Sequence, residues 1–235
     1  QLNAIVRSVC KGKQFMPMSD IVVSRTAYRF TDLMHKDHPE AIGQLSEGHP
    51  YDVSTNIFER LPQIFFDEKP NDGKDYIRIL GRIDNTRTMK FVRRDYIREV
   101  ENLNGYKVFM AKANGTGAFG ETLTPPIVGE PSVGNTETFI SIGEFYTLCE
   151  AMALKKYIAT KFVRALLGAL KTTQDITPEK WKFVPQQDFS EASDIDWSRS
   201  VEEIDAFLYK KYKLTDAEIS FINEKVQAMK DTYNN

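Results

Sequence analysis

The chain has 235 residues, 41% hydrophobic and 27% charged, with 31 lysines and arginines against 33 aspartates and glutamates. A chain of this length and make-up buries a core, which excludes disorder as a description of the whole. The net charge of −2 excludes a polybasic, histone-like protein but not a local basic face.

The two cysteines, Cys10 and Cys149, build no disulfide framework and form no CxxC, so a reduced, cytoplasmic setting is expected. No apolar run nears the ~20 residues that span a bilayer, and residues 1–13 lack the apolar stretch of a signal peptide, so no membrane partner is expected. The chain begins at Gln1 without an initiator methionine and is expected to be part of something larger.

In chain order, Ile21-Val22-Val23 predicts a strand, and residues 31–36 a helix limited by Pro39. Residues 63–66 predict a short strand, followed by a turn at Pro70 and Asn71-Asp72-Gly73. The clearest β signal is 76–80 and 88–93, a hairpin whose loop is expected to exceed two residues. Strands follow at 106–111 and 137–142, separated by a Gly- and Pro-rich loop over 112–134.

The period then changes. Thr147 with Glu150 reads as a capping box, and Leu154, Ile158, Phe162, Ala165 and Leu166 predict one long helix over 147–170. Residues 181–185 predict an extended segment. Ser200 with Glu203, and Thr215 with Glu218, open two tail helices. The expected fold is α+β: a twisted mixed sheet from the strands near 76, 88, 106 and 137, a long packing helix, and a C-terminal helical pair. The helical satellite is placed at 191–235 and the main domain at 1–190.

Charge is polarised along the chain. Residues 78–112 hold nine basic and four acidic residues, a net +5; residues 175–235 hold eight basic and thirteen acidic, a net −5. The middle stretch suits a polyanion and the tail does not.

Catalytic and metal patterns fail on their geometry. Gly115-Thr116-Gly117-Ala118-Phe119-Gly120 matches G-x-G-x-x-G, but a dinucleotide site needs a helix to open there, and Pro125-Pro126 follows. His35 and His38 stand three apart beside Pro39, a weak ligand pair, and Asp67-Glu68-Lys69 matches a nuclease-type triplet only at a strand end. No catalytic residue, metal or cofactor is therefore assigned to this chain.

Several stretches carry a resemblance. They are Tyr76-Ile77-Arg78-Ile79-Leu80-Gly81-Arg82 with Phe91-Val92-Arg93-Arg94-Asp95-Tyr96-Ile97, and residues 106–117 with 137–142. Further on come residues 156–164, Trp181-Lys182-Phe183-Val184-Pro185 running to Phe189, Asp194-Ile195-Asp196-Trp197, and Leu208-Tyr209-Lys210-Lys211-Tyr212. In this order they resemble the C-terminal specificity region of restriction–modification enzymes that carry an adenine-specific DNA methyltransferase domain. The resemblance covers most of the chain and is densest from Ile77 onward. It implies a target recognition domain that binds double-stranded DNA and works with other domains or subunits. S-adenosylmethionine and Mg²⁺ would then belong to the parent enzyme. The alternatives are a nuclease or methylase fragment with its own catalytic residues, and a docking domain that never touches DNA.

The DNA face is expected on the 76–94 hairpin and the 112–117 loop. Arg78, Arg82, Arg87, Lys90, Arg93, Arg94 and Lys112 are assigned to phosphates, and Asn114 and Thr116 to base edges, with Arg25 and Arg29 next in line.

Overall fold

The computed structural model describes residues 1–12, 15–113, 115–170 and 173–229. Helix α1 (Leu2–Cys10) leads into strand β1 (Val22–Val23), then the short helices α2 (Asp32–Asp37) and α3 (Ile57–Arg60). Strands β2 (Tyr76–Ile83), β3 (Thr86–Arg93), β4 (Tyr106–Ala111), β5 (Ile127–Gly129), β6 (Val133–Asn135) and β7 (Phe139–Phe145) follow. Helices α4 (Leu148–Ala159), α5 (Lys161–Gly168), α6 (Val201–Lys211) and α7 (Asp216–Lys225) complete the α+β fold.

The strands form two sheets rather than the expected one. One has the order β1-β7-β4-β5, the other β3-β2-β6. In the three-stranded sheet β6 pairs in parallel with β2, on the edge away from β3. Its three residues, Val133-Gly134-Asn135, carry no readable period. Gly134 is required there because a Cβ would collide with the Tyr28 ring and Ile79.

Alternation along the strands sets the layers. On β4, Val108 and Met110 face the largest core with Tyr157, Phe162 and Trp181, while Phe109 and Ala111 face a small cluster with Leu80 and Phe139. On β2, Leu80 faces that middle cluster, and Ile77 and Ile79 face a second core with Tyr28, Phe30 and Phe58. The order is thus helices, four-stranded sheet, three-stranded sheet, and the 23–65 segment. Buried Lys107 ties the two sheets: from β4, its Nζ donates to the carbonyls of Leu103 (3.0 Å), Glu130 (3.2 Å) and Val133 (3.0 Å).

Local expectations meet the structure unevenly. All three capping boxes form, at Thr147, Ser200 and Thr215. The 76–93 hairpin forms, but its loop is two residues, Asp84 and Asn85, both at positive φ (48° and 61°) as a type I′ turn demands. The 63–66 segment is no strand; Phe66 makes a single two-bond bridge to Phe91. The 181–185 segment opens in a 3-10 turn, Pro178–Trp181.

The long helix is broken at Thr160. That residue is extended at ψ 148°, and its hydroxyl accepts from Val163 N–H, capping a new helix. Asp205 of α6 completes the break, accepting from the N–H groups of Lys161 and Phe162, both at 2.8 Å. The apolar spacing runs straight through this point, which is why periodicity alone predicts continuity. Ile204, Leu208, Leu214, Ile222 and Val226 close the tail helices onto the largest core, so packing continues across residue 190.

Candidate nucleic-acid interface

The hairpin register divides its cations by face. Arg82 and Arg87 are cross-strand partners, and Arg78 opposes Phe91. These share the face of Leu80. Lys90 opposes Ile79 and lies on the other face, toward the second core.

Most of the expected cations have carboxylates beside them. Arg78 pairs with Glu130 (2.5 Å), Lys90 with Asp67 (2.5 Å), and Arg94 with Glu99 (3.2 Å). Arg93 pairs with Asp37 (3.0 Å) and Asp95 (2.7 Å), and its guanidinium lies over the Tyr96 ring. Arg29 pairs with Asp52 (3.0 Å) and Arg25, more loosely, with Glu137 (3.7 Å). Such pairs add little stability, but each cancels local charge that a phosphate would otherwise meet.

Three cations differ. Among the described residues, Arg82, Arg87 and Lys112 make no ion pair. Arg87 donates through Nη2 to the backbone carbonyl of Pro125 at 2.6 Å. The Nε of Arg82 is buried with no hydrogen-bond partner. Burial and then the neighbouring Arg82 charge push the Arg87 guanidinium below its usual range. Burial and then the Arg87 charge likewise lower Lys155 of α4. Arg87 thus stands near two like charges, Arg82 on the hairpin and Lys155 on the helix. Lys155 had no signal in the sequence, because only the tertiary fold brings it near Arg87.

This group sits at one end of the four-stranded sheet. Ala111 closes β4 opposite Phe139, which opens β7, and Ile127 opens β5 opposite Phe109. Pro125, which receives Arg87, therefore lies at that end. So does Lys112, whose N–H donates to Thr138 O. Arg25, two residues beyond β1, joins Lys112 in a pocket of about 130 Å³ with Ser24, Thr177 and one acid, Asp175.

The glycine loop is differently used than its composition suggests. The N–H groups of Thr116 (2.8 Å) and Gly117 (2.9 Å), with the Thr116 hydroxyl (3.1 Å), all donate to the carboxylate of Glu121. The groups offered to DNA by this loop hold an internal carboxylate instead. Gly115 and Gly117 are at φ +60° and +93°, which that wrap requires. Gly120 meets the end of α7, where its carbonyl accepts from Gln227 N–H (2.9 Å). An extended stretch, not a helix, follows Gly120. Asn114 lies outside the described residues.

The remaining tempting groups are dispersed. His35 Nε2 lies 2.7 Å from the Pro50 carbonyl, His38 pairs with Glu40 and His49 with Asp52. Asp67 faces Lys90. Comparison with family models, curated proteins and solved structures returns no match for this chain.

Proposed function

We propose that this chain is a sequence-specific recognition module for double-stranded DNA within a bacterial restriction–modification enzyme. It would hold DNA for methylation or cleavage by other domains or subunits in the cytoplasm, where S-adenosylmethionine and Mg²⁺ would serve those domains. The supporting observation is the set of cations at one end of the four-stranded sheet that have no ion pair among the described residues: Arg82, Arg87 and Lys112. There Arg82 and Arg87 stand side by side, and Lys112 shares a pocket with Asp175 and with Arg25, which Glu137 pairs loosely. Holding like charges together costs free energy in the unliganded protein, and a polyanion offsets that cost. The order of motifs that resembles specificity regions supports the same reading. Arg is suited to phosphate and to guanine edges, so one cluster serves both register and readout.

The test is duplex binding by the purified chain across a salt series. A steep loss of affinity with salt, with preference for one sequence, is expected. No binding at low salt would leave a docking domain as the better reading. Strand cleavage or methyl transfer by this chain alone would move the chemistry into it.

A further inference from the structure

The other end of the same sheet carries a second candidate surface. β7 runs seven residues from the cationic end to Phe145, a span of about 20 Å at the usual rise per residue. Beyond it, the first turns of α4 and the 189–198 segment enclose an open groove of about 870 Å³. Its floor is aromatic. Trp197 packs against Phe189 at 5.3 Å and Tyr157 at 6.0 Å, and its Nε1 donates to Asp188 O, so the indole is fixed in place. At the lip, Tyr146 is 98% exposed and Leu148, beside it, 49% exposed. Large side chains left this bare on a folded domain mark contact surfaces when they adjoin a groove.

The lining carries four carboxylates, Glu150, Glu191, Asp194 and Asp196, and neither lysine nor arginine. Glu150 serves its own helix cap, Asp194 and Asp196 have Lys211 and Arg199 outside the lining, and the Lys156 ammonium is held by the carbonyls of Trp197 and Ser198. Glu191 has no ion pair among the described residues. A fixed aromatic floor beside a rim whose Glu191 has no ion pair among the described residues disfavours nucleic acid and suits a cation seated over a ring with an apolar neighbour beside it. We propose that this groove docks a polypeptide segment of a partner protein that carries Arg or Lys next to an apolar anchor. The proposal is independent of the DNA reading, since it concerns the opposite pole of the sheet.

The test uses fluorescence anisotropy with labelled decapeptides in which Arg or Lys recurs beside Leu or Phe at several spacings. Matched peptides carry Glu for each cation. At least one cationic peptide should bind with a micromolar Kd that weakens with salt, and its Glu counterpart at least about tenfold more weakly. Tyr146→Ala and Glu191→Lys change exposed side chains and should leave the melting temperature in place, while each weakens the peptide by about fivefold or more. Neither should alter duplex binding. Absence of peptide binding up to about 1 mM, equal binding of the Glu peptides, or indifference to both variants overturns the proposal. Self-association of the chain that Glu191→Lys abolishes also overturns it, by making a second copy the occupant.

Discussion

Lys90 and Arg87 stand three residues apart on β3 and carry the same charge, yet their surroundings are opposite. Lys90 emerges on the core-facing side, is 15% exposed, and meets Asp67. Arg87 emerges on the other face, against Arg82 and a backbone carbonyl. The same contrast holds for the wider basic segment: Arg78, Arg93 and Arg94 have counter-ions, and among the described residues Arg82 and Arg87 have none. Net charge of a segment therefore measures capacity for a polyanion, while the placement of carboxylates from elsewhere in the chain decides which cations remain to use it.

The largest expected effect tests that contrast directly. Replacing Arg82 and Arg87 together by Ala should weaken duplex binding by about tenfold or more and flatten the salt slope by about two, one for each lost phosphate contact. Replacing Lys90 and Arg94 should change affinity by less than about threefold, because both are already neutralised. Equal losses in the two double variants, measured by anisotropy at fixed salt, would erase the distinction between the two regions.

Lys107 sharpens it from the side of stability, as a cation of the same basic segment that faces inward. Lys107→Met leaves three backbone carbonyls short of a donor and should cost about 2–3 kcal/mol in urea unfolding, without a specific loss of DNA affinity in the folded protein. Burial pushes the Lys107 ammonium down to about 8. From about pH 8 to the unfolded value near 10.5, the unfolded chain holds the proton more often than the folded one. The stability contributed at this site must then rise with pH over that window. The Met variant should lack that rise.

Asp205 gives a smaller effect of the opposite sign. Burial raises its carboxyl to about 6, against the two N–H groups of α5 that favour the ionised form. Between about pH 4 and 6 the folded chain holds this proton more often than the unfolded one, so the site's contribution falls as pH rises and is flat above. Asp205→Ala should cost about 1–2 kcal/mol through the lost cap, and Asp205→Asn less, with the pH dependence gone. The smallest effect is expected at the hairpin turn. Asn85→Gly should stabilise the fold by a few tenths of a kcal/mol up to about 1, since glycine meets φ 61° without strain. Melting curves recorded at several pH values check both.

Much of the fold was legible locally. Thr147, Ser200 and Thr215 announce their helices because a hydroxyl and a carboxylate three residues apart close hydrogen bonds within one turn. The 76–93 hairpin announces itself because alternation is a property of one strand at a time. Less of the candidate site was legible. Thr116 reads as a base-edge ligand until Glu121 is seen to occupy its N–H and hydroxyl, and Lys155 does not read as a neighbour of Arg87 at all.

By itself, then, the sequence determined the α+β character, the capped helices, the hairpin and the presence of a basic middle and an acidic tail, all set by neighbours within a few residues. The tertiary structure decided the division into two sheets, because β6 is recognised only by its pairing with β2 some fifty residues away. It also decided the break at Thr160, stabilised by Asp205 from another helix. And it decided which cations are neutralised: Arg93 finds Asp37 across 56 residues and Arg78 finds Glu130 across 52. Electrostatic pairing depends on distance in space, steeply and without regard to distance along the chain, so no pattern of spacing encodes it.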